Sequence, residues 1–142
     1  LPQSITFETN GTQELTDEFV RYMSAIDPEI FFSISPKLWT VAGEKASKAI
    51  RPQNIVEYLS ISPHGQLKFV VGNRDEQWTE MESVIKQFRD AGVNLPVWVM
   101  PVGAREEEQN ATAGDVAKRA FQRGYNVAAR VHVHLFGNAI GT

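Results

Sequence analysis

Two histidines, His132 and His134, sit in the alternating run Arg130-Val131-His132-Val133-His134-Leu135. Alternation puts both on one face of a strand and Val131, Val133 and Leu135 on the other. An imidazole can move a proton near neutral pH, and a pair can ligate a metal. Parity groups other chemistry-bearing residues in the same way. Glu8 opposes Ile5 and Phe7, Ser33 and Ser35 oppose Phe32 and Ile34, and Lys68 interrupts an apolar run. A carboxylate accepts paired N–H bonds, and a lysine donates from a compact charge. Glu8, Ser35, Lys37, Lys68, Met100, His132 and His134 are expected to face one cavity. Each also has a plainer reading: Glu8 as a loop cap, Lys37 as a solvated lysine, Lys68 as a snorkelling edge residue, and the two histidines as satisfied core or rim residues.

The elements that position these residues alternate in type. Strands are expected at Ile5 to Thr9, Ile30 to Ser35, Gln66 to Val71, Leu95 to Met100 and Arg130 to Phe136. Thr16 can cap a helix over Asp17 to Ile26, with Phe19, Tyr22, Met23 and Ile26 on one face. A looser stretch from Leu38 precedes a short helix at Glu44 to Ile50. Another helix starts at Pro52 and runs to about Leu59. The strongest periodicity spans Asp75 to Ala91, where Trp78, Met81, Ile85 and Phe88 read as core. A last helix covers Thr112 to Arg123. His64 falls in the turn Ser62-Pro63-His64-Gly65 and reads as exposed. Glu106-Glu107-Glu108 reads as a solvated loop whose charge suits a helix start. The order βαβαβαβαβ predicts an α/β fold with about five parallel strands alternating with helices. A doubly wound sheet buries both faces and has near-continuous apolar strands. Here one face is polar, which fits a barrel or partial barrel with active groups at the C-terminal ends of the strands.

Composition excludes several function classes. The 142 residues carry 14 Lys and Arg against 17 Asp and Glu, a net charge of −3, which argues against a nucleic-acid groove. The chain contains no cysteine, so it cannot by itself form a disulfide, a thiolate zinc site or an iron–sulfur cluster, or use a cysteine nucleophile. No apolar run approaches the ~20 residues of a membrane helix. No secretory leader is evident, and a cytoplasmic location is expected. The sequons at Asn10 and Asn110 read as chance matches. The chain opens Leu1-Pro2-Gln3 without methionine and enters a strand at once, so a fragment or processed product is expected. No Gly-x-Gly-x-x-Gly, Walker or His-Glu-x-x-His motif occurs.

Five motifs in order carry a resemblance. Phe7-Glu8-Thr9-Asn10-Gly11-Thr12, Ser33-Ile34-Ser35-Pro36-Lys37-Leu38, Gln66-Leu67-Lys68-Phe69-Val70-Val71, Trp98-Val99-Met100-Pro101-Val102-Gly103, and Arg130 to Asn138 with Gly141-Thr142 span the chain. Together they are similar to segments of the radical S-adenosylmethionine family of 7-carboxy-7-deazaguanine synthases. The resemblance implies the C-terminal part of a partial (β/α) barrel of radical SAM type, with residues 1–142 as a single domain within it. It implies ring contraction of 6-carboxy-5,6,7,8-tetrahydropterin to 7-carboxy-7-deazaguanine with loss of ammonia, on the path to queuosine and related deazapurines. Ser35, Pro36, Lys37, Met100 and Pro101 would contact S-adenosylmethionine. Glu8 and His132 would face the pterin as catalytic and substrate-binding groups, and the terminal carboxylate on Thr142 would touch substrate. The 4Fe-4S cluster and Mg²⁺ belong to the full enzyme, with no ligands in this chain, because the family's cysteine loop and Gly-Gly-Glu-Pro segment are absent here. Phe136 stands where tryptophan is usual, and Ala139-Ile140 replace a more charged pair. The chain alone is expected to be inactive and the full enzyme a homodimer, with no nucleic-acid or membrane partner.

Two other classes remain open on the residues. One is a barrel-type metal-dependent hydrolase using His132, His134 and Glu8 as ligands. The other is a non-catalytic subunit or ligand-binding domain.

Overall fold

Thr16 starts the first helix as the capping rule requires: its hydroxyl oxygen accepts the Phe19 N–H at 3.1 Å. A computed structural model describes residues 3–103 and 106–129 of the chain. Strand β1 (Ser4–Thr9) leads to α1 (Asp17–Ile26), which Asp27 closes in the left-handed conformation (φ 47°) with its N–H on Met23 O. Strand β2 (Glu29–Ile34) follows, then the short helices α2 (Trp39–Ala42) and α3 (Ala46–Ala49), and α4 (Pro52–Ile61) with proline in its first turn. Strand β3 (Gly65–Val71), α5 (Asp75–Asp90), β4 (Val97–Pro101), α6 (Glu106–Gln122) and β5 (Asn126–Val127) complete the order.

The structure corrects the sequence reading in four places. Tyr22 is 59% exposed, so α1 buries Met23 without it. Helix α2 forms where only a loose stretch was expected, because its cap comes from elsewhere in the chain. Helix α6 starts at Glu106, so the acidic run lies in the helix and not in a loop; negative charge there suits the positive end of the helix dipole. Asn126–Val127 forms a fifth strand that periodicity did not single out. The strand expected at Arg130 to Phe136 lies outside the described residues.

All strands are parallel, in the order β1-β2-β3-β4-β5. Right-handed crossovers that always advance in one direction leave their helices on one face, whereas a doubly wound sheet reverses direction. Burial agrees. Ile30, Phe32, Ile34, Leu67, Phe69, Val71, Val97 and Val99 join Ile55, Tyr58, Trp78, Met81, Ile85, Phe88, Val116 and Ala120 from the helices in one core. Stacked Phe7, Phe32 and Tyr58 run from β1 through β2 to α4, with Phe19 of α1 edge-on to Phe7. Burying a side chain of this size contributes about 1.5–3 kcal/mol. On the opposite face Thr6, Glu8, Gln66, Lys68, Val70, Trp98 and Met100 are exposed or half-buried. Among the described residues no helix covers this face, and β1 and β5 are the sheet edges.

Candidate functional site

Backbone register sets the uncovered face in rows. Glu8 lies beside Ser33, and Ser33 beside Gln66. One pleat further along, Lys68 lies beside Trp98, and Trp98 beside Asn126. Val70 and Met100 form the next row. Ser33 is the exception to the wet face expected from parity: it is buried, and the Gln66 side-chain amide donates to its hydroxyl at 3.0 Å. Gln66, Lys68, Trp98, Met100 and Ala128 line a groove of about 230 Å³. Among the described residues no ion pair involves Glu8 or Lys68.

The loops at the C-terminal ends of the strands are tied to the helices. After β1, Thr9 Oγ1 accepts the Gly11 N–H at 3.0 Å, and Asn10 Oδ1 accepts the Thr12 N–H at 3.1 Å and its hydroxyl at 2.8 Å. Helix α4 clamps this turn: the Asn54 amide donates to Gly11 O at 3.0 Å, and the Tyr58 hydroxyl donates to Gln13 O. Burial pushes the Tyr58 phenol above its ordinary value, and the neighbouring Thr9 hydroxyl pulls it back in part. Gly11 has φ +81°, and a Cβ there would stand 2.8 Å from Ile55 Cδ1, so the turn needs glycine.

After β2, Ser35 N–H donates to Thr9 O at 2.7 Å, which extends the ladder by one residue. Pro36 and Leu38 are buried, and Lys37 between them is exposed. The following α2 has no cap from its own segment; Glu80 of α5 accepts from Trp39 N–H at 2.8 Å, Thr40 N–H at 2.9 Å and Thr40 Oγ1 at 2.6 Å. After β3, Gly72 N–H donates to Gln77 Oε1 at 2.9 Å, and the Trp78 indole N–H donates to Gly72 O at 2.8 Å. The outer side of Trp78 carries the guanidinium of Arg123, 4.8 Å from its ring centroid. Arg123 Nε lies 3.0 Å from Glu82 Oε1, and the Tyr125 hydroxyl donates to Glu82 Oε2 at 2.8 Å. Burial and the Glu82 carboxylate push the Tyr125 phenol up to about 12.

Glu8, Lys68 and Met100 share one face, as parity predicts, but not one cavity. Lys68 and Met100 line the groove, whereas Glu8 lines a separate hollow of about 280 Å³ with Phe7, Thr9 and Tyr58. Ser35 continues the Ser33 side of β2. Lys37 stands at the same end of the sheet. Pro101 shares the parity of Val97 and Val99 and is buried, so its side chain lies on the helix-covered face, opposite Met100. His132, His134 and Thr142 lie outside the described residues. His64 is exposed, as its turn predicts. A larger cavity of about 660 Å³ involves His64 and Glu29 at the N-terminal ends of the strands, but none of the expected site residues lines it. Asn54, Tyr58, Gln77 and Glu80, which hold the site loops, were missed by sequence reasoning. Glu80 acts across 41 positions and leaves no local signal.

The chain is 29% identical over 141 residues to a 7-carboxy-7-deazaguanine synthase of Pyrobaculum aerophilum, covering 97% of this chain and 54% of the relative. It is 27% identical over 151 residues to a protein of the same name from Rhodopirellula baltica, covering 97% of this chain and 52% of the relative. No family model matches, and no solved structure matches significantly. The chain spans about half the length of these curated relatives. Along nearly all of its own length it is similar to 7-carboxy-7-deazaguanine synthases.

Proposed function

We propose that the chain is the C-terminal part of a 7-carboxy-7-deazaguanine synthase of the radical S-adenosylmethionine type, contributing one wall of the site. The reaction would contract 6-carboxy-5,6,7,8-tetrahydropterin to 7-carboxy-7-deazaguanine with loss of ammonia. One observation carries the reading: the residues that align with both synthases build a singly wound sheet whose helix-free face holds Glu8, Lys68 and Met100. A sheet of this winding is what part of a (β/α) barrel requires, with ligands at the C-terminal ends of the strands.

The residues present suit some of the implied groups and not others. A 4Fe-4S cluster needs thiolates, and none of the 142 residues is cysteine, so this chain ligates no cluster. Among the described residues no three His, Cys, Asp or Glu side chains converge on a metal site. S-adenosylmethionine fits better. Lys37 is exposed at the end of β2 and can donate to its carboxylate or ribose oxygens, with Ser35 beside it and Met100 on the uncovered face. The cofactor supplies radical chemistry when bound; this chain's residues supply orientation and proton handling. Glu8 accepts paired hydrogen bonds from the amino and ring N–H groups of the pterin. His132 exchanges the proton that ammonia loss requires.

The test is the product of the complete reading frame, reconstituted anaerobically with iron and sulfide. With S-adenosylmethionine, Mg²⁺, dithionite as the one-electron reductant of the cluster, and 6-carboxy-5,6,7,8-tetrahydropterin it should yield 7-carboxy-7-deazaguanine by mass spectrometry. Glu8→Gln should lose about 100-fold in kcat/KM, the lower range for a group that both orients and moves protons. A cluster-loaded protein that forms neither this product nor 5′-deoxyadenosine would overturn the assignment.

A further inference from the structure

The middle of the uncovered face carries a cation and a flat aromatic ring side by side. Lys68 on β3 and Trp98 on β4 are register partners, which places neighbouring backbones about 4.8 Å apart with both side chains on one face. Both are half-buried. Among the described residues neither makes an ion pair, cation–π contact or side-chain hydrogen bond. Neighbouring polar side chains are engaged: half-buried Gln66 with Ser33, and exposed Asn126 through Nδ2 with Val97 O. In a sheet face designed only for packing, an apolar side chain would serve better.

We infer that Lys68 and Trp98 form a subsite for a ligand that joins a flat heteroaromatic ring to a carboxylate. The indole face of Trp98 takes the ring by stacking, and the Lys68 ammonium takes the carboxylate through a charge-assisted hydrogen bond. Gln66 and Met100 border the pair, the first as a polar edge and the second as an adaptable apolar one. The groove of about 230 Å³ is smaller than the ~300–1,000 Å³ of a complete ligand pocket, so it accommodates part of a ligand. Two molecules of the proposed reaction share the required chemistry: S-adenosylmethionine, with adenine and an amino-acid carboxylate, and 6-carboxy-5,6,7,8-tetrahydropterin, with a flat aminopyrimidinone ring and a carboxylate on the fused reduced ring. The inference rests on that functional reading and deepens it.

Anaerobic isothermal titration of the cluster-loaded full-length protein with S-adenosylmethionine and, separately, with 6-carboxy-5,6,7,8-tetrahydropterin separates the two sources. Lys68→Met keeps the length of the side chain and removes its charge. It should weaken binding of one of the two ligands by about tenfold or more and leave the other unchanged, and that ligand is the occupant. The analogue of that ligand lacking the carboxylate should bind wild type and Lys68→Met equally. Trp98→Leu should weaken the same ligand. Lys68→Arg, which retains the charge, should bind within a few-fold of wild type and covers the case in which the methionine variant fails to fold; in that case a Lys68→Gln variant replaces it. If wild type binds both ligands and Lys68→Met or Lys68→Gln, folded by circular dichroism, binds both as wild type does, the subsite is wrong and the functional reading stands. If wild type binds neither ligand, both fall.

Discussion

Glu80, in the second turn of α5, caps Trp39 and Thr40 of α2 from 41 and 40 positions away. One carboxylate thereby fixes the end of the loop that carries Ser35, Pro36 and Lys37. A hydrogen bond to a charged group contributes about 1.5–3 kcal/mol when desolvated and less at a surface. Glu80→Ala should therefore lower unfolding stability by about 1–2 kcal/mol in urea titration. Glu80→Gln keeps one accepting oxygen and should fall between the two. A loss below about 0.5 kcal/mol, the range of ordinary surface changes, would show that α2 forms without this cap.

Gly11 and Gly43 separate backbone strain from crowding. Both have positive φ, +81° and +72°, but a Cβ on Gly11 would meet Ile55 Cδ1 at 2.8 Å and Ile34 Cγ2 at 3.3 Å, whereas one on Gly43 meets nothing within 4 Å. Gly43→Ala should cost about 1 kcal/mol, the left-handed penalty alone. Gly11→Ala adds overpacking against a core isoleucine and should cost about 2–4 kcal/mol. Equal losses in thermal or urea unfolding would contradict the crowding.

Tyr58→Phe removes the hydroxyl that donates to Gln13 O and leaves the Phe32 ring stack intact. The expected cost is about 1–2 kcal/mol, because the carbonyl loses its partner in a partly buried setting. Amide exchange should quicken at Asn10 to Gln13, beside Glu8, and stay slow through α4. Uniform quickening would indicate global destabilisation and not release of the loop.

Tyr125 gives the chain an alkaline limit. Its phenol is raised to about 12 from 10.0, chiefly by burial and then by the hydrogen bond and charge of Glu82. The folded state holds the neutral form, so the stabilisation is complete below pH 10 and is lost as pH rises from 10 through about 12. The group is partly exposed, so solvent screening reduces the effect to about 1 kcal/mol or less. The gap in unfolding free energy between wild type and Tyr125→Phe should shift against wild type between pH 9.5 and 12. A gap that stays constant across the range would show that the phenol titrates alike in both states.

Much of the fold was legible because local rules and burial agree along the chain. Thr16 and Pro52 set helix ends by their own chemistry, and Trp78, Met81, Ile85 and Phe88 announced their face by period. Parity in β1 and β3 placed Glu8 and Lys68 on the uncovered side. The same rule misjudged Ser33, because a side chain from the adjacent strand buries and satisfies it. Asn126–Val127 was missed because two residues carry no period.

The sequence by itself determined the alternation of strands and helices, the polar parity and the lack of thiolate ligands. Those depend on spacing and residue type, which neighbours do not alter. Only the tertiary structure decided that Lys68 lies beside Trp98 in register, that Glu80 caps α2, and that Asn54 and Tyr58 hold the turn after Glu8. Each of these relationships joins residues about 30 to 45 positions apart. Strand register and helix docking select them, and both depend on burying the common core.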